Sequence, residues 1–233
     1  MSEQALAAPN IERSRSSVPR RRRWPKRVLI GGAAFSGLVL VLLWQVGLLG
    51  NNFREVSPGK CYRSAQLQAD GFKDAIEKRG LKSVVNLRGE RKNEAWYQGE
   101  LAACLAEKVA HVDINIGLGE LPHPEALKAL VETLDAGPYP MLLHCRSGSD
   151  RSGLGAVFYR HLVEHKPLDE AEREQINWRY GHLAVGKAKS IDDFFKLYHE
   201  SAGGQSLRDW IYKTYPAIYA KQAAAKTGDR SED

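Results

Sequence analysis

The segment His144, Cys145, Arg146, Ser147, Gly148, Ser149, Asp150, Arg151, Ser152, Gly153 sets a thiol and a guanidinium six positions apart around small residues. Met141, Leu142 and Leu143 just before it read as a short buried strand, and the periodic stretch from Ser152 to His165 reads as a helix. The loop therefore joins a strand to a helix N-terminus. Unpaired amides and the positive end of the helix dipole favour an anion there, and the same field lowers the pKa of a nearby thiol. Cys145 is the candidate nucleophile and Arg151 the candidate clamp on two oxyanion oxygens, a task that suits a planar fork better than the point charge of Lys. The backbone of Arg146, Ser147, Gly148 and Ser149 would line the anion cradle, with Gly148 supplying backbone angles that a side chain would penalise.

His-Cys, five residues, Arg and Ser resembles the signature of the protein tyrosine phosphatase superfamily, and every fixed position is filled. The resemblance implies attack of Cys145 on phosphorus, a thiophosphate intermediate and no metal or other cofactor. It also implies a hydrogen bond from Ser152 to the departing sulfur, and a His144 that orients the loop from behind. Tyr62 to Gln66 and Val84 to Arg88 resemble the opening strands of bacterial dual-specificity-type phosphatases. In those segments Arg63 and Arg88 either attract an anionic substrate or lie as ordinary surface arginines. The expected substrates are phosphotyrosine, phosphoserine and phosphothreonine on proteins. Two alternatives stand beside them: an inositol phosphate or phosphoinositide, and a phospho-binding module without turnover.

A general acid must protonate the leaving oxygen. Relatives carry an Asp on the loop after the strand that precedes the nucleophile strand. In this chain the alternation Val112, Ile114, Ile116 makes Asp113 a strand residue and leaves Glu120 as the acid in the loop proper. Asp150, directly before Arg151, is the preferred candidate, because some lipid-phosphatase branches of the superfamily carry an acid at that point. Glu120 and Asp113 are the alternatives.

Positioning these residues falls to the rest of the chain. Val28 to Gly50 is 23 residues without a charge, long enough to span a hydrocarbon core as a transmembrane signal-anchor helix. Eight Lys and Arg precede it, so the basic tail 1–27 is expected to be disordered and cytoplasmic. The catalytic domain is then expected in the periplasm, held by a single-pass anchor to a bacterial inner membrane. Of 34 Lys and Arg and 28 Asp and Glu, residues 51–233 hold 26 of each. The net charge of +6 thus belongs to the tail, and the domain gives no reason to bind nucleic acid.

Residues 51–220 suffice for one domain. Helical periodicity over 69–78, 94–108, 124–134, 152–165, 168–178 and 191–199 alternates with strand-like runs near Val84, Val112 and Met141. The expected fold is α/β, a mostly parallel central sheet flanked by helices. Residues 179–187 read as a loop, 207–220 as a last helix with Trp210, Tyr212, Tyr215 and Tyr219 in packing roles, and 221–233 as a flexible tail. Cys61 and Cys104 either pair or lie buried as thiols; the sequence does not choose. His161 to His165 matches a zinc-protease pattern and Gly181 to Ala188 nearly matches a nucleotide-binding loop. The first has no third ligand, the second no hydroxyl at Ala188, and both read as ordinary surface.

Overall fold

The computed structural model describes residues 35–41 and 51–229. The chain divides into two units, Met1–Leu38 and Val39–Asp233. Residues 35–41 are helical, whereas the tail 1–27 and most of the span Val28 to Gly50 lie outside the described residues. Among the described residues no helix is long and apolar enough to cross a membrane.

Five strands form one sheet: β1 (Arg54–Ser57), β2 (Cys61–Ser64), β3 (Ser83–Asn86), β4 (Ala110–Asp113) and β5 (Met141–His144), in the order β1-β2-β5-β3-β4. β1 pairs antiparallel with β2, and the other three pairings are parallel. The sheet is mostly parallel with one antiparallel edge. β5 sits at its centre, and all four of its residues are buried. Side chains alternate between the faces of a strand, so Val84 and Leu142 pack on one side with Phe72, Ile76 and Cys104. Val85 and Leu143 pack on the other with Leu154, Phe158, Phe194 and Trp210. Ser64, His144 and Asn86 are level across β2, β5 and β3. They mark the carboxyl edge of the sheet, where α/β folds of this kind place their ligands.

The helices are α1 (Ala69–Arg79), α2 (Ala95–Ala106), α3 (Pro124–Ala136), α4 (Asp150–Phe158), α5 (Leu168–Gln175) and α6 (Lys189–Ser201). α4 continues into a π-helical turn at Tyr159–Val163. A closing helical run begins at Leu207, passes a second π-helical turn at Trp210–Thr214 and ends as α7 (Tyr215–Asp229). α7 therefore extends well past Ala220, where the sequence predicts a flexible tail. Ala223, Ala224 and Ala225 are the best helix formers available, and their propensity outweighs the small-residue composition. Trp210 and Tyr215 are buried in the core as expected, and Tyr212 lies at the surface. All three cysteines are free and buried, which settles the pairing question in favour of buried thiols.

Candidate active site

The chain leaves β5 at Cys145, whose amide donates to the Ser64 carbonyl at 3.3 Å, and turns back into α4 through residues 146–149. Gly148 has φ +71°, and a Cβ on it would stand 2.5 Å from the Ala65 nitrogen and 2.7 Å from the Ser64 carbonyl carbon. Both the backbone angle and the space demand glycine. The loop thus lies flat against the end of β2.

What holds it there is Arg63, a residue with no solvent exposure. Its Nη2 donates to the Gly148 carbonyl at 3.1 Å and the Ser149 carbonyl at 2.6 Å. Its Nη1 donates to the Gln175 carbonyl at 2.6 Å, and the guanidinium stacks 4.3 Å from the Tyr180 ring. Arg63 is neither a surface residue nor a free attractor of substrate: both terminal nitrogens of its fork are committed, to three backbone carbonyls and the Gln175 side-chain oxygen. Burial lowers its pKa to about 10, which leaves it charged at neutral pH. Asn52 adds a second brace, its Nδ2 donating to the carbonyls of Ser147 at 3.1 Å, Gly148 at 3.0 Å and Tyr180 at 2.9 Å. Three successive carbonyls are therefore turned outward. In a trans peptide the N–H points opposite the C=O, so the amides of Gly148, Ser149 and Asp150 turn inward, toward Cys145. A concave array of donors results, suited to an oxyanion.

Burial opposes ionisation of Cys145, but the Arg151 charge, the Ser152 amide and hydroxyl and the Gly148 amide outweigh it and hold the thiol below its ordinary value. The Ser152 hydroxyl is 3.6 Å from Cys145 Sγ. Arg151 Nε is buried and, among the described residues, has no hydrogen-bond partner. The other two thiols behave oppositely: burial pushes Cys104 up to about 12 and Cys61 higher still. Only Cys145 is prepared as a thiolate. Arg146 is exposed at the rim. Arg88 lies half-buried over the Trp96 ring at 3.8 Å, its pKa lowered by burial and then by the like charges of Arg151 and Arg146. Arg88, unlike Arg63, belongs to the cationic surroundings of the thiol.

Behind the loop, His144 is fully buried, and its Nε2 lies 2.7 Å from Glu100 Oε1. The same oxygen lies 2.8 Å from His111 Nε2, and Gln66 donates to Oε2 at 2.9 Å. Burial favours a neutral Glu100, yet these partners outweigh it and hold the carboxylate down to about 2. His144 thus stands at the end of β5 directly before the loop, fixed by Glu100 of α2, while its Nδ1 has no hydrogen-bond partner among the described residues. Sequence reasoning missed Glu100 and Asn52, since nothing local distinguishes them from surface residues.

The three carboxylate candidates separate clearly. Asp150 opens α4 beside Arg151, and its Oδ1 lies 2.8 Å from His182 Nδ1. His182 Nε2 lies 3.0 Å from Asp192 Oδ2. Burial disfavours protonation of His182, but the two carboxylates prevail and raise its pKa. Asp113 is engaged elsewhere, accepting from Tyr97 Oη at 2.5 Å and Asn86 Nδ2 at 2.8 Å. Glu120 is exposed on the next loop, which is tied to the 181–188 segment through a bond from Gly119 N–H to the Lys187 carbonyl. Asp150 shares with Cys145 and Arg151 the segment that leads from β5 into α4, its carboxylate bonded to His182, and Asp113 is held in the sheet edge. His182 was overlooked because its loop carries no periodic pattern. His161 of the zinc-protease pattern faces the Lys166 carbonyl at 2.7 Å.

Comparison with solved structures finds similar chains. A putative phosphatase from Shewanella putrefaciens CN-32 superposes with a TM-score of 0.51 at 16% identity, covering 66% of this chain and 92% of that one, which shows a shared fold. The catalytic domain of the PP-IP phosphatase SIW14 from S. cerevisiae aligns at TM-score 0.48 and 20% identity over 65% of this chain and 93% of that one. P. aeruginosa TpbA aligns at 0.46 and 22%, over 66% and 92%. No curated protein matches the chain significantly. Residues 49–189 match the family model described as DSP-PTPase phosphatase fused to NAD+ kinase. The chain belongs to that family and, through it, is a cysteine-based phosphatase of the protein tyrosine phosphatase superfamily.

Proposed function

We propose that this chain hydrolyses phosphate monoesters in two displacements at Cys145. The Cys145 thiolate attacks phosphorus while the ester oxygen departs with a proton from Asp150, leaving a phosphocysteine. His182, bonded to the same carboxyl and holding a proton more readily than an ordinary imidazole, is the positioning residue for Asp150. Water then attacks phosphorus, returns its proton through Asp150, and the thiolate leaves with a hydrogen bond from Ser152. Arg151 and the inward amides carry the three non-bridging oxygens throughout. The observation that carries this reading is a thiol lowered by Arg151 and loop amides at the foot of an array whose carbonyls are all bound behind it.

The membrane anchor Val28 to Gly50 and a periplasmic catalytic domain complete the proposal, on the strength of the sequence alone. A reporter fused after Asp233 that is active only outside the cytoplasm tests the topology, and a bright cytoplasm-only reporter reverses it. Phosphotyrosine, phosphoserine and phosphothreonine on proteins are the first substrates to assay. A lipid-borne monoester is a second reading that the attachment of Asn52 to the active-site loop favours, as argued below. Cys145→Ser is expected to abolish phosphate release from an aryl phosphate while retaining product-phosphate binding. Release at the wild-type rate by that variant overturns the mechanism.

A further inference from the structure

Where the chain enters the folded domain has a bearing on what can reach the active site. The uncharged run ends at Gly50. The Asn51 carbonyl accepts from the Ala65 amide at 2.7 Å, and the Asn52 side chain donates to the carbonyls of Ser147 and Gly148. An anchor that ended at Gly50 would have two residues, at most about 7 Å of extended chain, before Asn52 is bound to the active-site loop. The polar layer of a leaflet is about 5–7 Å deep. An anchor ending at Gly50 therefore leaves the active-site loop at headgroup level.

A second, independent observation concerns the rim. Among the described residues from 51 onward, five large hydrophobic side chains are prominently exposed, and three of them are Trp178 at 59%, Leu183 at 60% and Val185 at 66%. Scattered single exposures are ordinary, but these three share one short loop. That loop is fastened to the active site at two points: the Tyr180 carbonyl takes the third bond of Asn52, and His182 binds Asp150. Residues 177–188 contain no carboxylate, and Arg179 and Lys187 are exposed among the apolar side chains. Trp beside Arg, with aliphatic tips and cations, is the composition that settles into an anionic membrane interface.

Resting on the anchored-phosphatase reading above, we propose that the 178–185 loop docks on the bilayer, so that the enzyme takes a phosphate monoester borne on a lipid headgroup. Short tethering, an apolar rim and a cationic mouth then serve one purpose, presenting Cys145 to substrates that diffuse in the membrane plane. A soluble phosphopeptide would have to enter between the rim and the lipid.

The test uses the full chain reconstituted in phosphatidylcholine vesicles containing phosphatidic acid as the probe. Phosphate release from phosphatidic acid, from a phosphotyrosine peptide and from a soluble aryl phosphate is compared for wild type and for the triple variant Trp178→Ser, Leu183→Ser, Val185→Ser. The proposal expects the ratio of lipid to aryl turnover to fall at least about ten-fold in the triple variant, a ratio that cancels any loss of folded enzyme. Brominated phosphatidylcholine is expected to quench wild-type tryptophan fluorescence more than that of Trp178→Phe. An unchanged ratio, equal quenching, or a wild type that prefers the peptide overturns the proposal. A wild type silent on aryl phosphate strikes the cysteine mechanism instead, and the quenching comparison still decides the docking.

Discussion

Arg63→Met offers the sharpest test of how the phosphate loop is held, since methionine matches the shape of the stem and removes all the donors. The Gly148 carbonyl keeps its bond from Asn52 and the Ser149 carbonyl its 2.9 Å bond from the Gly153 amide, but Ser149 loses its charged donor and the Gln175 carbonyl loses its 2.6 Å partner. An unpaired buried acceptor at Gln175 costs about 1–3 kcal/mol and the lost charged bond at Ser149 about 1.5–3 kcal/mol, so the two together cost about 2.5–6 kcal/mol. Removing a desolvated guanidinium returns part of this. The net loss is expected at about 2–4 kcal/mol, a large share of a typical domain's stability. Catalysis should suffer separately. Without Arg63 the Gly148 and Ser149 carbonyls are left with Asn52 and the Gly153 amide, the Ser149 and Asp150 amides are less firmly aimed, and a misplacement of about 1 Å in an oxyanion array costs on the order of 10² in rate. Urea unfolding of the full chain and kcat/KM on an aryl phosphate read the two effects independently. Arg63→Lys should fall between, as one ammonium can serve one of the two carbonyls. If Arg63 only attracted substrate, Met would raise KM in a salt-dependent way and leave the unfolding midpoint alone. A Met variant within about three-fold of wild-type kcat and less than about 1 kcal/mol destabilised refutes the bracing argument.

Gly148→Ala should lower kcat/KM by about 10²-fold or more, because the new methyl must push the loop off the end of β2; near-normal kinetics would contradict the close approach. Asp150→Asn should slow esters of basic leaving groups by about 10²- to 10⁴-fold and nearly spare those of acidic phenols, with Glu120→Gln and Asp113→Asn showing no such selectivity. A flat loss for Asp150→Asn and a selective one for Glu120→Gln would move the acid to Glu120. His182 has a raised pKa in the folded state, so its contribution to stability is complete below about pH 6.5 and is lost as pH rises through the raised value. Wild type should therefore exceed His182→Asn in urea midpoint most at mildly acidic pH and least at alkaline pH, and a gap that widens toward alkaline pH would reverse the sign.

The parts of this site that the sequence discloses and the parts it conceals differ in a physical way. Cys145, Gly148, Arg151 and Ser152 act through a loop whose geometry is local, so their types and spacing carry the information. Met141 to Leu143 is legible for a similar reason: a strand buried on both faces is apolar without alternation. Arg63 carries no such mark. Its acceptors lie 85 to 112 residues along the chain, and its burial follows from the parallel pairing of β2 with β5 and from the return of α5, not from Tyr62 or Ser64 beside it. His182 meets Asp150 across 32 residues through a loop without periodicity, and Glu100 reaches His144 across 44. Each of these three is a charged or titratable group set against a short polar stretch of backbone or side chain by the topology. Such residues look like surface in one dimension because charge usually is surface. A phosphate cradle built of amides nevertheless requires its carbonyls to be bound on the far side, and that demand could be met only by donors arriving from elsewhere in the fold. The loop motif thus implies the existence of an Arg63 and an Asn52 without being able to say where in the chain they stand.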